Sequence, residues 1–356
     1  MSSASSGWDR AVGFADQAIA RQVALGLPSI ATGSELLSQR SLFTDSSARR
    51  QESMGGHCRL LRTVDGWCAV HLPRVDDVAL LPAWLGIEAN ADEVPWAELA
   101  GIVATRSSSE VVQSGQELGL AISALPAGED EQLRDRGTTN PARPWIQRQV
   151  GTRRNDTSLD GAFVVDLSSL WAGPLCSRVL TEGGARVVKV ESATRPDASR
   201  DGDRAFFDWL HAGQEFLSIP FEEPSGIAEL VGLLERADVV IEGSRPRALD
   251  RLGLVPAEFV AKRSGLVWLS ITAYGRCGPW RDWVGFGDDA AVAGGLVDHD
   301  ASGVPSFVGD AVADPLTGLV GAALVADAVR RGGGVTIDVA LREVARSAAS
   351  AARVVW

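Results

Sequence analysis

Asp314 is the residue with the clearest chemical possibilities in this chain. Pro315 follows it, and small and apolar residues recur at helical spacing from Leu316 until Gly332-Gly-Gly334 ends them. Proline suits the first helical turn, where its missing N–H costs nothing, so Asp314 is expected at the N-cap. A carboxylate there faces unpaired backbone donors and the positive end of the helix dipole, and is expected to stay ionised. Two roles fit. One is a capping aspartate worth about 1 kcal/mol; the other is a carboxylate nucleophile displayed at the mouth of a site. A second set of residues suits anion binding. Glu242-Gly-Ser-Arg-Pro246 and Tyr274-Gly-Arg-Cys-Gly-Pro279 join small residues to arginine, and Trp171-Ala-Gly-Pro174 and Glu191-Ser192 are further turns of this kind. Small residues let backbone approach a ligand closely, and arginine offers bidentate contacts to phosphate. Arg245, Arg247, Arg251 and Arg276 are the candidates, each with the alternative of an ordinary solvated side chain.

The elements that must hold these residues form an alternation. Residues 162–167 read as a buried strand, 171–182 as a helix with Pro174 in its first turn, and 186–191 as the next strand. This is a βαβ unit with parallel strands. Strands at 216–220, 237–242, 266–272 and 335–341 and a helix at 226–235 continue it. Residues 151–356 are therefore read as a doubly wound, parallel-sheet, Rossmann-like α/β domain, whose ligands belong beyond the carboxyl ends of the strands. Before it, residues 1–150 read as a smaller α+β domain with linkers. Helices are expected at 8–27, 76–85, 96–104 and 108–118, and a hairpin at 58–72 turns at Asp65-Gly66. Residues 44–53 read as an exposed connection and 126–160, rich in charge, Pro and Gly, as the linker.

Composition narrows the chemistry. A net charge of -12 argues against a nucleic-acid surface. The four cysteines and four histidines are scattered, so neither a metal centre nor a disulfide framework is expected. No leader pattern and no apolar stretch long enough to span a bilayer is present, which points to a cytoplasmic protein without membrane contact. The chain lacks G-x-G-x-x-G, the P-loop pattern and the G-x-S-x-G elbow; Gly285-Phe-Gly-Asp-Asp-Ala290 fits only a looser form, without a strand before it.

Several collinear segments resemble the family III CoA-transferases, the group of formyl-CoA and carnitine CoA-transferases and alpha-methylacyl-CoA racemase. They are Val164-Val-Asp-Leu167, Ala172-Gly-Pro174, Gly184-Ala-Arg-Val-Val-Lys-Val-Glu191, residues 237–254, residues 266–279, Ala293-Gly-Gly-Leu296 and Gly309-Asp-Ala-Val-Ala-Asp-Pro-Leu-Thr-Gly318. The resemblance covers nearly all of residues 161–345. It implies that Asp314 is the nucleophile of an acyl-CoA:carboxylate CoA-transfer, passing through a mixed anhydride and an aspartyl-CoA thioester. It also implies that Trp171, Ala172, Ser192, Gly243, Ser244, Arg245 and Arg251 contact coenzyme A. No tightly bound cofactor is expected; acyl-CoA and a carboxylic acid are the substrates, and a homodimer is the expected assembly.

Met54-Gly-Gly-His57 and the hairpin after it resemble a loop of the family's small domain, which ordinarily follows the α/β domain. Here it comes first, as a permutation would place it. Gly55 and Gly56 then map onto the loop that closes over the acyl site, with plain turn glycines as the alternative. Three positions depart from the family pattern. Trp171 replaces a glutamine of formyl-CoA transferase, which implies a more apolar acyl pocket. Gln214 and Glu215 replace two basic residues. Phe286 aligns with the histidine that the racemase pairs with its aspartate, so one of two bases is missing. The alternatives to CoA transfer are a 2-methylacyl-CoA racemase or isomerase and a non-catalytic CoA-binding subunit. Asp288 and Asp289 are expected to cap the helix leading to Gly294 or to face solvent.

Overall fold

The computed structural model describes residues 5–43, 50–88, 93–126, 141–155 and 157–356. Helices α1 (Gly7–Ala24) and α2 (Gly33–Leu37) open the chain, each started by a capping box, Ser6 with Asp9 and Thr32 with Glu35. The small α+β unit follows. Its strands β1 (Cys58–Arg62) and β2 (Trp67–His71) form the expected hairpin, with Arg62 opposite Trp67. Helices α3 (Val75–Ala79), α4 (Leu81–Leu85), α5 (Trp96–Val103) and α6 (Ser108–Glu117) lead to β3 (Ala121–Ala124), which pairs antiparallel with β2. The expected helix at 76–85 is thus two short ones. Pro82 has no N–H to offer Val78, and the chain turns at Leu80 instead.

The second unit holds β4 (Trp145–Gln149), β5 (Phe163–Asp166), α7 (Ala172–Glu182), β6 (Arg186–Ser192), α8 (Arg204–Leu210) and β7 (Glu215–Ile219). It continues through α9 (Pro224–Leu234), β8 (Val239–Glu242), α10 (Pro246–Arg251), α11 (Pro256–Lys262), β9 (Val267–Thr272) and α12 (Gly287–Ala293). The hairpin β10 (Val297–His299) with β11 (Pro305–Phe307), then α13 (Ala313–Arg330), β12 (Val335–Ala340) and α14 (Leu341–Ala349) complete it. Six strands run parallel in the order β7-β6-β5-β8-β9-β12, and β4 adds an antiparallel edge on β12. Numbered along the chain this is the 3-2-1-4-5-6 order of doubly wound nucleotide-binding sheets. Every residue of β8 and β9 is buried, as central strands covered on both faces must be.

Helix α13 lies at the centre of the larger core. All its residues except Asp314, Asp327 and Arg330 are buried. Its glycines permit that depth: a Cβ on Gly318 would fall 2.5 Å from the Ala172 carbonyl oxygen of α7. The boundary expected at residue 150 falls elsewhere. Ala11, Phe14, Ala15 and Ala18 of α1 join the core around α13, and Gln22 donates to the Leu319 carbonyl at 2.7 Å. Trp145 of β4 joins the same core. The β1–β3 unit is thus flanked in sequence by α1, which packs in the core around α13, and by β4, which pairs with β12. Of the linker expected at 126–160, residues 127–140 and 156 lie outside the described residues, as do 44–49 of the connection expected at 44–53. No helix among the described residues is long and apolar enough to cross a membrane.

Candidate active site

The turn before α13 is unusually constrained. Gly309 and Ala311 both adopt left-handed backbone, with φ of 63° and 43°. Such a conformation costs a non-glycine residue about 1 kcal/mol or more. Asp288 in the first turn of α12 holds it in place, accepting from the Ala311 N–H at 2.9 Å. The helix begins at Ala313 with Val312 as its cap, two residues earlier than expected. Asp314 is therefore not the cap: its own N–H donates to the Ala311 carbonyl at 2.8 Å. Its carboxylate makes no hydrogen bond among the described residues and remains partly exposed. Gly287 makes room for it, since a Cβ there would fall 2.6 Å from Asp314 Oδ2. The first turns of α12 and α13 thus converge on this side chain.

Their dipoles do not keep it charged. Burial, reinforced by Asp288 and Asp289, pushes the Asp314 carboxyl up to about 8, with Arg40 opposing and Asp310 adding to the rise. The expectation of an ionised carboxylate fails because desolvation and neighbouring acids outweigh the N-terminal dipoles. Burial likewise lifts Asp310 to about 6, against the pull of Arg40, whose Nε lies 3.4 Å from Asp310 Oδ2.

The small unit closes against this cluster. His71, at the end of β2 and 8% exposed, places Nδ1 2.9 Å from Asp289 Oδ1. The same oxygen caps α12 by accepting from the Phe286 N–H at 2.8 Å, and the Phe286 ring meets the His71 ring edge-on at 5.1 Å. Ser123 of β3 donates to the Asp289 carbonyl, and Gln116 of α6 bonds both the N–H and the carbonyl of Val284, each at 2.8 Å. Asp289 is a cap, as expected, but neither it nor Asp288 faces solvent. Burial pulls the His71 imidazole down, yet the hydrogen bond to Asp289 and the charges of Asp289, Asp288 and Asp314 leave it raised. Gly55 is exposed beside Arg40 and His57, and Gly56 has φ 73°. That turn therefore sits on the Asp314 side of the molecule.

The other expected contacts gather where the sheet order reverses, between β5 and β8. Leu170, at φ 70°, donates to Asp197 at 3.1 Å, and Asp197 pairs with the buried Lys189 at 3.2 Å. These bonds hold the loop after β5. Trp171 and Ala172 at its end are buried, the indole meeting Phe206 edge-on at 5.0 Å with Nε1 lacking a hydrogen-bond partner among the described residues. Gly243 is exposed, and the Ser244 N–H donates to Glu242 at 2.8 Å. Arg245 is half-buried at the start of α10 against Gly119, whose carbonyl accepts from Arg74 at 3.2 Å. Burial and the positive charges of Arg74, Arg247 and Arg195 weaken the hold of Arg245 on its proton. Arg74 pairs with Asp77, but Arg245, Arg247 and Arg195 make no ion pair among the described residues. Arg251 is exposed at the end of α10, and Ser192 is tied to Thr194 at 3.1 Å at the end of β6.

Not every candidate belongs to these two regions. Arg276 pairs with buried Glu242 at 2.9 Å and lines a separate cavity of about 200 Å³ with Cys277 and Ser270. Of the scattered histidines, His211 stacks on Phe207 at 4.2 Å, and His299 is exposed on β10. The described residues contain no group of side chains placed to hold a metal ion. His71, Arg40 and Arg74 emerge only from the fold. A histidine ending an otherwise apolar strand was the one available signal for His71; Arg40 and Arg74 carried none.

With this sheet order and an aspartate presented at the head of its central helix, the molecule has the architecture of a doubly wound α/β protein. Residues 159–354 match the model of CoA-transferase family III, and the chain belongs to that family. It is 28% identical over 207 residues to a succinyl-CoA–D-citramalate CoA-transferase of Chloroflexus aurantiacus, covering 54% of this chain and 52% of that protein. It is 32% identical over 206 residues to a succinate–glutarate CoA-transferase of Agrobacterium fabrum, covering 52% and 51%. A solved CAIB/BAIF family protein from Brucella suis is 30% identical with a TM-score of 0.49, covering 54% of this chain and 55% of that one. The chain spans about half the length of the curated relatives it matches.

Proposed function

We propose that this chain is an acyl-CoA:carboxylate CoA-transferase with Asp314 as its nucleophile. The carboxylate adds to the thioester carbonyl, the C–S bond breaks, and a mixed anhydride and free CoA thiolate result. The thiolate then attacks the Asp314 carbonyl, releasing the first acid and leaving an aspartyl-CoA thioester. An incoming carboxylate takes the CoA by the reverse sequence. The observation that carries this reading is the Asp314 carboxylate itself: partly exposed, free of hydrogen bonds to the described residues, and set at the converging first turns of α12 and α13 in a family III chain. First-turn N–H groups lack intrahelical acceptors and suit the developing oxyanion.

In this reading Arg245 and Arg251 take the CoA phosphates, with Gly243, Ser244 and Ser192 as backbone and hydroxyl contacts. Trp171 and Ala172 lie beneath them, and the Gly55-Gly56 turn closes over the acyl group. The small unit is a permuted family domain, and the working assembly is a homodimer in the cytoplasm. Mixing the protein with succinyl-CoA and no acceptor, then quenching with hydroxylamine, is expected to leave a hydroxamate on Asp314 by peptide mass. An unmodified Asp314 would reject the covalent route. A second reading, a 2-methylacyl-CoA racemase or isomerase, draws support from His71, which joins the cluster although Phe286 fills the racemase's histidine position. Deuterium wash-in at the α-carbon without a hydroxamate would favour it, and CoA binding with neither product would favour a non-catalytic subunit.

A further inference from the structure

The proposed nucleophile has a proton to lose before it can act, and the structure narrows the groups able to receive it. Asp288 is committed to the Ala311 N–H, and Asp310 faces Arg40. Asp289 meets His71 and the Phe286 N–H through Oδ1, and its Oδ2 faces Gly285, where a Cβ would fall 2.8 Å from it. From the small unit, Cys58 is fully buried and its thiol is held neutral by burial, while burial and the nearby His71 and Arg40 lower the proton affinity of exposed His57. Tyr274, also buried, keeps its proton. His71 differs from all of these. Asp289 holds Nδ1, whereas Nε2 makes no hydrogen bond among the described residues. The first turn of α12 lies between it and the nucleophile: Phe286 meets the His71 ring, and a Cβ on its neighbour Gly287 would fall 2.6 Å from Asp314 Oδ2.

We propose that His71, oriented by Asp289, is a catalytic residue that takes the proton of Asp314 and delivers it to the sulfur of the departing CoA. This rests on the CoA-transfer reading and adds the proton pathway to it. The neutral imidazole accepts the carboxyl proton, giving Asp314 carboxylate and imidazolium. As the carboxylate adds and the C–S bond breaks, the electron pair goes to sulfur, and Nε2–H protonates it to the thiol. On return, Nε2 takes the thiol proton while sulfur attacks the Asp314 carbonyl and the acyl carboxylate departs with the C–O pair. The same exchange serves the second acid in reverse, so one proton is conserved through the cycle. An imidazole held in one tautomer by a carboxylate is suited to this work.

The test is single-turnover formation of the Asp314 adduct from succinyl-CoA, followed by mass across a pH series. His71→Gln keeps a donor for Asp289 and is expected to slow adduct formation about 10²-fold near neutrality. The deficit should shrink as rising pH ionises Asp314 without help. Imidazole added to His71→Ala should restore part of the rate. An adduct forming in His71→Gln at the wild-type rate, with the wild-type pH profile, overturns the proposal and leaves the CoA-transfer reading standing. No adduct on wild-type Asp314 removes both. Should the His71 variants not fold, Asp289→Asn keeps the ring and removes its anionic partner. The acidic limb of the profile must then move to lower pH, and an unmoved limb overturns the proposal.

Discussion

Two regions of this molecule concentrate charge of opposite sign, and they respond to it differently. Around the start of α13, Asp288, Asp289, Asp310 and Asp314 crowd against Arg40 and His71. Around the start of α10, Arg245 meets Arg74, Arg195 and Arg247. Carboxylates can relieve such crowding by taking up protons, and Asp314 does so, its carboxyl lifted to about 8. Guanidinium groups have no such escape, because they stay protonated at any accessible pH. Beyond the Arg74–Asp77 pair, the arginine region is relieved by solvent or by an anion, whereas the acid region is poised to exchange a proton. A diphosphate suits the first and a thioester carbonyl the second.

The largest expected effect breaks the acid region. Asp314→Asn should lower CoA transfer on the order of 10⁴-fold or more, as loss of a covalent nucleophile does. CoA affinity by calorimetry should stay close to wild type, because the arginine region is untouched. A variant retaining a tenth of the activity would show that Asp314 is not the nucleophile. The converse substitution is Arg245→Ala. Each charged hydrogen bond to phosphate contributes about 1.5–3 kcal/mol, so CoA binding should weaken about 10- to 100-fold. Added salt should erode the difference, since it screens exposed charges. Equal affinity in the variant would separate these arginines from CoA.

How much of this was legible beforehand differs between the regions. The sheet was readable because its buried strands are unbroken runs such as Val-Trp-Leu-Ser-Ile-Thr, and the turns after them announced Gly243, Ser244 and Arg245 directly. Asp314 was readable through Pro315 and the motif around it, but its protonation was not. That depends on Asp288 and Asp289, some 25 residues earlier, whose aspartates read locally as helix caps. His71 and Arg40 come from segments whose only relation to Asp314 is tertiary, through α1 and β2 packing against the larger unit. Strand β4 was missed because Trp-Ile-Gln-Arg-Gln is polar and follows Pro144, as an edge strand permits.

A third effect is smaller and of opposite sign. The folded carboxyl of Asp314 titrates at about 8 against 3.8 for a free side chain, so between these values the folded state binds the extra proton. Stability from this group is present at low pH and is lost as pH rises through the folded value. Asp314→Asn removes that loss and should stabilise the protein by about 0.5–2 kcal/mol, at the expense of function. Urea unfolding should show the gain to be larger at about pH 9 than at about pH 6. A variant less stable than wild type at the higher pH would place the charge of Asp314 among favourable partners instead.

The smallest effects lie in the turn beside Arg40, and there the two glycines should part company. Gly56 has φ 73°, so Gly56→Ala forces a side chain into left-handed backbone and should cost about 1–2 kcal/mol in unfolding. A methyl on Gly55 would meet only His57 Cδ2 at 3.5 Å and Arg40 Nη2 at 3.7 Å, which is ordinary contact. Gly55→Ala should then change stability by less than about 0.5 kcal/mol. Its catalytic effect is the informative part. If the turn closes over the acyl group, the methyl enters space the substrate needs, and KM for succinyl-CoA should rise while CoA affinity at the arginine region holds. Unchanged kinetics in a stable Gly55→Ala protein would reduce both residues to turn formers and remove the small unit's loop from the acyl site, leaving His71 as its contribution to the chemistry.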